Sequence, residues 1–187
     1  MDDSALCPEL DALVSALELE LSLRPRGPGV AALLESYATG RPDWPTCATW
    51  STARYTRNLI ARRDDFELLL LCWGAGQESP IHNHEDQSCW MAVLEGEIEE
   101  VQYAFPEAGK RGPLTTLRSR VYPPAEVAFI RDEIGLHLVR GHGGRPAVSL
   151  HVYAAPYEAC NMYCPETGKV ERVRLAYHSI RGELVPG

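Results

Sequence analysis

The stretch Gly74-Ala75-Gly76-Gln77-Glu78-Ser79-Pro80-Ile81-His82-Asn83-His84-Glu85-Asp86-Gln87-Ser88-Cys89-Trp90-Met91-Ala92-Val93-Leu94-Glu95-Gly96 decides how the rest of the chain is read. Two histidines stand two residues apart. In an extended segment both side chains point to one face, because a strand repeats every two residues. Two imidazoles on one face can share one metal ion. Cys89 comes five residues after His84, followed by an apolar run and Gly96.

The surroundings of this stretch read as strands. Tyr55 to Ile60 is one candidate, and Phe66 to Trp73 is a buried strand by its continuous apolar character. Cys89 to Leu94 and Ile98 to Phe105 follow, and Glu95-Gly96-Glu97 between them is a hairpin signal. Val127 to Ile130, Leu136 to Val139 and Val148 to Tyr153 are further strands. Glu166-Thr167-Gly168-Lys169 reads as a turn into Val170 to Tyr177, and residues 106–113 as a loop. Short strands with turn signals between them predict an all-β sandwich or barrel.

Ahead of the strands the period changes. Leu10, Leu13, Val14, Leu17 and Leu21 form one stripe, which predicts a helix from Pro8 to Leu23. Pro8 suits its first turn, Glu9 and Asp11 its positive end, and Arg24 and Arg26 its negative end. Gly27-Pro28-Gly29 breaks it, and Val30 to Tyr37 forms a second short helix, stopped by Gly40-Arg41-Pro42. The expected organisation is one domain over residues 1–187, with a helical segment of about residues 1–42 packed on the barrel.

The 187 residues and 45% apolar content support a single packed core. A net charge of −8 argues against a nucleic-acid partner and against a basic membrane-surface role. The longest apolar run, Leu68 to Trp73, is too short to span a bilayer. Met1-Asp2-Asp3-Ser4 lacks the basic and apolar regions of a signal peptide, so a cytoplasmic location is expected. That makes Cys7, Cys47, Cys72, Cys89, Cys160 and Cys164 reduced thiols rather than a disulfide framework. Cys160 and Cys164 have no second pair at structural-zinc spacing.

In Ala147-Val148-Ser149-Leu150-His151-Val152-Tyr153, the apolar residues take one face and Ser149, His151 and Tyr153 the other. The polar face fits either an edge strand meeting water or a hydrogen-bonded row that orients the phenol. The remaining histidines are His137, in an apolar strand, and His142 and His178. His142 lies in a glycine-rich loop.

These residues carry a resemblance. The spacing of Gly76, His82, His84, Cys89 and Gly96 resembles the first cupin motif, with cysteine where many cupins have a glutamate ligand. Gly135 and His137 resemble the second. More closely, the chain is similar to the cysteine dioxygenases, through Tyr55-Thr56-Arg57-Asn58-Leu59, Leu71-Cys72-Trp73-Gly74, Ile81 to His84, Cys89, Ile134-Gly135-Leu136-His137, Pro146 to Tyr153, Cys160 and Tyr177-His178-Ser179. The match is collinear from about Tyr55 to the C-terminus.

The resemblance implies a cupin-type jelly roll and one Fe(II) per chain held by His82, His84 and His137. Replacing the usual carboxylate with a third neutral histidine leaves the site more positive, which suits an anionic thiolate. It implies that Arg57 holds the substrate carboxylate, with Tyr55 and Cys160 lining the same pocket. It implies that Cys89 and Tyr153 join in a thioether crosslink, with Ser149 and His151 behind the phenol, and that Trp73 packs on Tyr153. The expected activity is oxidation of L-cysteine by O2 to cysteine sulfinate, by a monomer without nucleic-acid or membrane partners. Dioxygenases of 3-mercaptopropionate resemble the family but carry glutamine near Arg57, so arginine favours cysteine. A non-catalytic metal-binding cupin is the alternative from another class. Asn83, Trp90 and Gly141 depart from the family pattern, at positions expected to face away from the metal or to lie beyond it.

Overall fold

The computed structural model describes residues 7–25, 27–107 and 112–186. Two helices, α1 (Pro8–Leu23) and α2 (Val30–Thr39), precede β1 (Thr56–Arg62), β2 (Glu67–Trp73), β3 (Ile81–His82), β4 (Ser88–Glu95), β5 (Ile98–Tyr103) and β6 (Thr116–Tyr122). Then come β7 (Val127–Ile130), β8 (Leu136–Gly141), β9 (Ala147–Ala154), β10 (Ala159–Tyr163), β11 (Val170–Arg174), β12 (Ser179–Ile180) and β13 (Glu183–Leu184). They form a seven-stranded sheet in the order β13-β12-β1-β2-β9-β4-β7 and a six-stranded sheet in the order β11-β10-β3-β8-β5-β6. One apolar cluster draws side chains from both sheets, so the sheets face each other as a cupin-type jelly roll.

The larger sheet is buried on both faces, which explains the unbroken apolar run of β2. Leu68, Leu70 and Cys72 face the helices, with Leu10, Leu17 and Leu34. Leu69, Leu71 and Trp73 face the interior between the sheets. The predicted helical stripe is buried throughout, at Leu10, Leu13, Val14, Leu17 and Leu21. The N-terminus of α1 is capped from a distance: Glu9 and Leu10 donate backbone N–H bonds to the Asp43 carboxylate at 2.8 and 3.1 Å. The thiols of Cys7 and Cys47 meet at 3.0 Å beside this cap. At the other end Arg24 lies just past the helix and pairs with Glu20, while Arg26 is outside the described residues.

The Glu95-Gly96-Glu97 turn is not a hairpin. β4 pairs with β7 and β9 and β5 with β6 and β8, so the turn carries the chain from one sheet to the other. Gly96 has φ 70°, and a Cβ there would lie 2.6 Å from the Pro146 carbonyl oxygen, so the crossing needs glycine. Strands β3, β6, β10, β12 and β13 carry no periodic apolar signal. β6 is an edge strand exposed over Thr116 to Arg120, where polar residues occupy both faces. The Gly168 turn does join a hairpin, β10 with β11.

Candidate active site

His82 ends β3 and lies opposite His137 of β8 in the ladder. His84 follows two residues later, where Glu85 and Asp86 turn the chain at positive φ. One nitrogen from each of the three imidazoles lies within 4.8 Å of the others. The outer nitrogens of two rings are spoken for. His82 Nδ1 donates to the Pro80 carbonyl at 2.9 Å, and His137 Nδ1 donates to Glu100 Oε1 at 2.8 Å. Both bonds direct Nε2 to the shared point as an acceptor, the arrangement in which histidine binds a metal.

Glu100 is itself buried, and Tyr122 Oη donates to it at 3.2 Å. Burial would raise its carboxyl, but His137 and Tyr122 hold it below the usual range. His84 has no exposed side chain, and neither ring nitrogen has a hydrogen-bond partner. Leaving two polar atoms of a buried ring unpaired is costly. A cation at the centre of the three rings would satisfy one of them, and Asp132 Oδ1 lies 3.8 Å from His84 Nδ1. Burial, and then the neighbouring His137, lowers His82 to about 3 and His84 well below its ordinary value, so both are neutral donors. Three neutral imidazoles suit a divalent transition metal.

His82 and His137 open into a cavity between the sheets, lined also by Tyr55, Arg57, Trp73, His151, Tyr153 and Cys160. Seven of the residues singled out by sequence thus line one space, His84 converges with two of them, Ser149 bonds His151 and Cys89 stands opposite Tyr153 in the ladder. Arg57 projects from β1 and is only 11% exposed, not a solvated surface arginine. Its guanidinium lies 6.0 Å from the Tyr153 ring.

Tyr153 belongs to β9, a central strand between β2 and β4, which excludes the wet-edge reading of Ser149-His151-Tyr153. Ser149 Oγ bonds His151 Nε2 at 2.8 Å, and Tyr153 Oη lies 3.5 Å from His151 Nδ1. Trp73 Nε1 donates to Ser149 Oγ at 2.8 Å. Trp73 stacks on Tyr55 at 4.6 Å, rather than on Tyr153 as expected from sequence. Cys89 of β4 stands opposite Tyr153 in the ladder, and its Sγ is 3.9 Å from His151 Nδ1. Burial pushes the Tyr153 phenol well up, with Cys89 adding to the effect, and burial likewise raises the Cys89 thiol.

Sequence reading missed Glu100, Glu67 and Tyr157. Tyr157 meets the Tyr153 ring edge-on at 5.3 Å. Glu100 shares a strand face with Ile98 but follows Glu99 directly in a glutamate-rich strand, so the local pattern reads as a polar stretch. Cys164 has its own partner, Glu166, and is not part of the site.

A sequence profile described as cysteine dioxygenase type I matches residues 27–166. The cysteine dioxygenase type 1 of Bos taurus is 35% identical over 159 residues, covering 84% of this chain and 79% of that protein. The proteins of that name from Homo sapiens and Danio rerio match with the same identity and coverage. On this match the chain belongs to the cysteine dioxygenase type I family.

Proposed function

We propose that this protein is an Fe(II) thiol dioxygenase that converts L-cysteine and O2 to cysteine sulfinate, both oxygen atoms going to sulfur. One observation carries the reading. His84, buried with two ring nitrogens that lack a hydrogen-bond partner, converges with His82 and His137, and those two line the cavity that holds Arg57 and Tyr153. His82, His84 and His137 would hold the iron. When bound there, iron supplies electron transfer to O2 and open positions for the substrate's sulfur and amine.

The chain's own residues do the rest. Arg57 takes the substrate carboxylate in its guanidinium fork and so fixes which end of the molecule faces the histidines. The aromatic and apolar walls of the cavity, Tyr55, Leu71, Trp73 and Val139, limit water around the reacting sulfur. Tyr153 stays protonated and offers its Oη proton beside the substrate, with His151, Ser149 and Trp73 holding the ring and hydroxyl in place. Cys89 and Tyr153 are partners in the ladder, which supports a thioether between them, formed with loss of two hydrogens to O2. That bond would lock the Tyr153 rotamer. Tyr55 and Cys160 shape the wall, and burial raises the Cys160 thiol to about 11, so it remains a neutral lining group. The site comes from a single chain, which suits a monomer of one domain, and its unbridged cysteines suit the cytoplasm.

The test is O2 uptake by iron-loaded protein with L-cysteine or 3-mercaptopropionate, with product mass as a second readout. Uptake with L-cysteine and a product heavier by O2 is expected. Uptake with 3-mercaptopropionate alone would overturn L-cysteine as the substrate. No uptake with either thiol, despite bound iron, would identify a metal-binding protein without turnover.

A further inference from the structure

Glu67 stands on the inner face of β2, opposite Tyr153 in the ladder, and its side chain has no exposure to solvent. A carboxylate in that position must be paired. It is paired three ways. Arg57 Nη2 donates to Oε1 at 3.3 Å, Tyr177 Oη donates to Oε2 at 2.6 Å, and Arg62 Nη1 lies 3.7 Å from Oε2. Arg62 Nη1 also donates to Tyr177 Oη at 2.6 Å, which closes the cluster.

Among the described residues, Glu67 is the one carboxylate paired with Arg57. It takes a single nitrogen of the guanidinium. The buried Nε of Arg57 has no partner at all. The arginine is therefore held at one corner by a fixed anion, while a donor stays free in the cavity. Arg62, itself 37% exposed, supplies a second cation to the same carboxylate. Glu158, the other anion near Arg62, is 71% exposed and screened by water.

We propose that Glu67 is a positioning residue. With Tyr177 and Arg62 behind it, it pre-orients Arg57 to receive one substrate carboxylate. The inference rests on the reading of Arg57 as the carboxylate clamp. A long arginine left unpaired would have to give up rotamer freedom on each binding event, and Glu67 removes that cost beforehand.

The experiment measures anaerobic binding of L-cysteine and of cysteamine, which has the same thiol and amine but no carboxylate, to iron-loaded wild type, Glu67→Gln, Tyr177→Phe and Arg57→Gln. Steady-state kinetics with L-cysteine accompany it. Glu67→Gln should weaken L-cysteine about tenfold, raise KM similarly and leave kcat nearly unchanged, with cysteamine binding unaltered. Tyr177→Phe should act in the same direction with about threefold effect, and carries the test if Glu67→Gln does not fold. Wild-type affinity for L-cysteine in both variants, or equal weakening of both ligands, would overturn the inference. If Arg57→Gln abolishes the preference for L-cysteine while Glu67→Gln preserves it, only the role of Glu67 fails. If Arg57→Gln has no effect on the preference, the clamp reading itself fails.

Discussion

His137 is one of the three metal-facing histidines, and its orientation depends on Glu100. The Nδ1–H bond to Glu100 fixes the ring and leaves Nε2 free to ligate. Glu100→Gln keeps the shape but loses the charge, and should weaken iron binding about 10- to 100-fold in a metal titration. Unchanged affinity would mean that the strand alone orients the ring. Cys89 gives a second residue-level prediction. If it bonds to Tyr153, the intact mass of protein matured with iron and O2 falls two hydrogens below that of its sequence, and Cys89→Ser abolishes the deficit. The His82-Asn83-His84 pair and the polar face of β9 were legible in sequence, because alternate residues of an extended segment share a face. Glu67 and Glu100 were not. A buried glutamate looks like a surface one until its partners, Arg57 and His137, are brought to it from other strands.

At the scale of elements, the boundaries of α1 and β7 agree with the sequence reading, and those of α2, β1, β2, β8 and β9 fall within a few residues of it. Each has a strong apolar period or an unbroken apolar run. The cap of α1 was invisible. Asp43 lies 34 residues from Glu9, whose N–H it accepts, whereas a local cap would sit within the preceding turn. Asp43→Ala should cost about 0.5–2 kcal/mol, typical of a lost cap. At roughly 2–4 °C per kcal/mol for a domain of this size, thermal unfolding should show it. Iron binding should be unaffected, because the cap lies on the helix side of the larger sheet. A loss of iron would show that the helices support the site directly.

For the whole molecule, the metal is expected to act on stability as well as chemistry. The histidines come from β3, the turn after it and β8, with Glu100 behind them on β5. Iron bound to the folded protein alone stabilises it by mass action, about 4 kcal/mol at a thousandfold excess over Kd. Chelation should therefore lower the unfolding midpoint of the wild type, and His84→Ala should be nearly indifferent to chelator. An equal response from both would place the stabilising metal elsewhere.

The sequence by itself determined the elements and the kind of chemistry. Period and run length are local properties, so two helices, a buried β2 and a His-x-His strand end could be read without contacts. Only the tertiary structure decided the partners. Gly96 reads as a hairpin turn, yet it crosses between sheets, because the choice of neighbour belongs to the whole ladder. The position of Cys89 opposite Tyr153, the three unpaired nitrogens of His84 and Arg57, and the buried carboxylate behind the clamp all join segments far apart in the chain. Burial of charge sets these pairings: a carboxylate or guanidinium out of water needs its counterpart, and the fold alone says where that counterpart is.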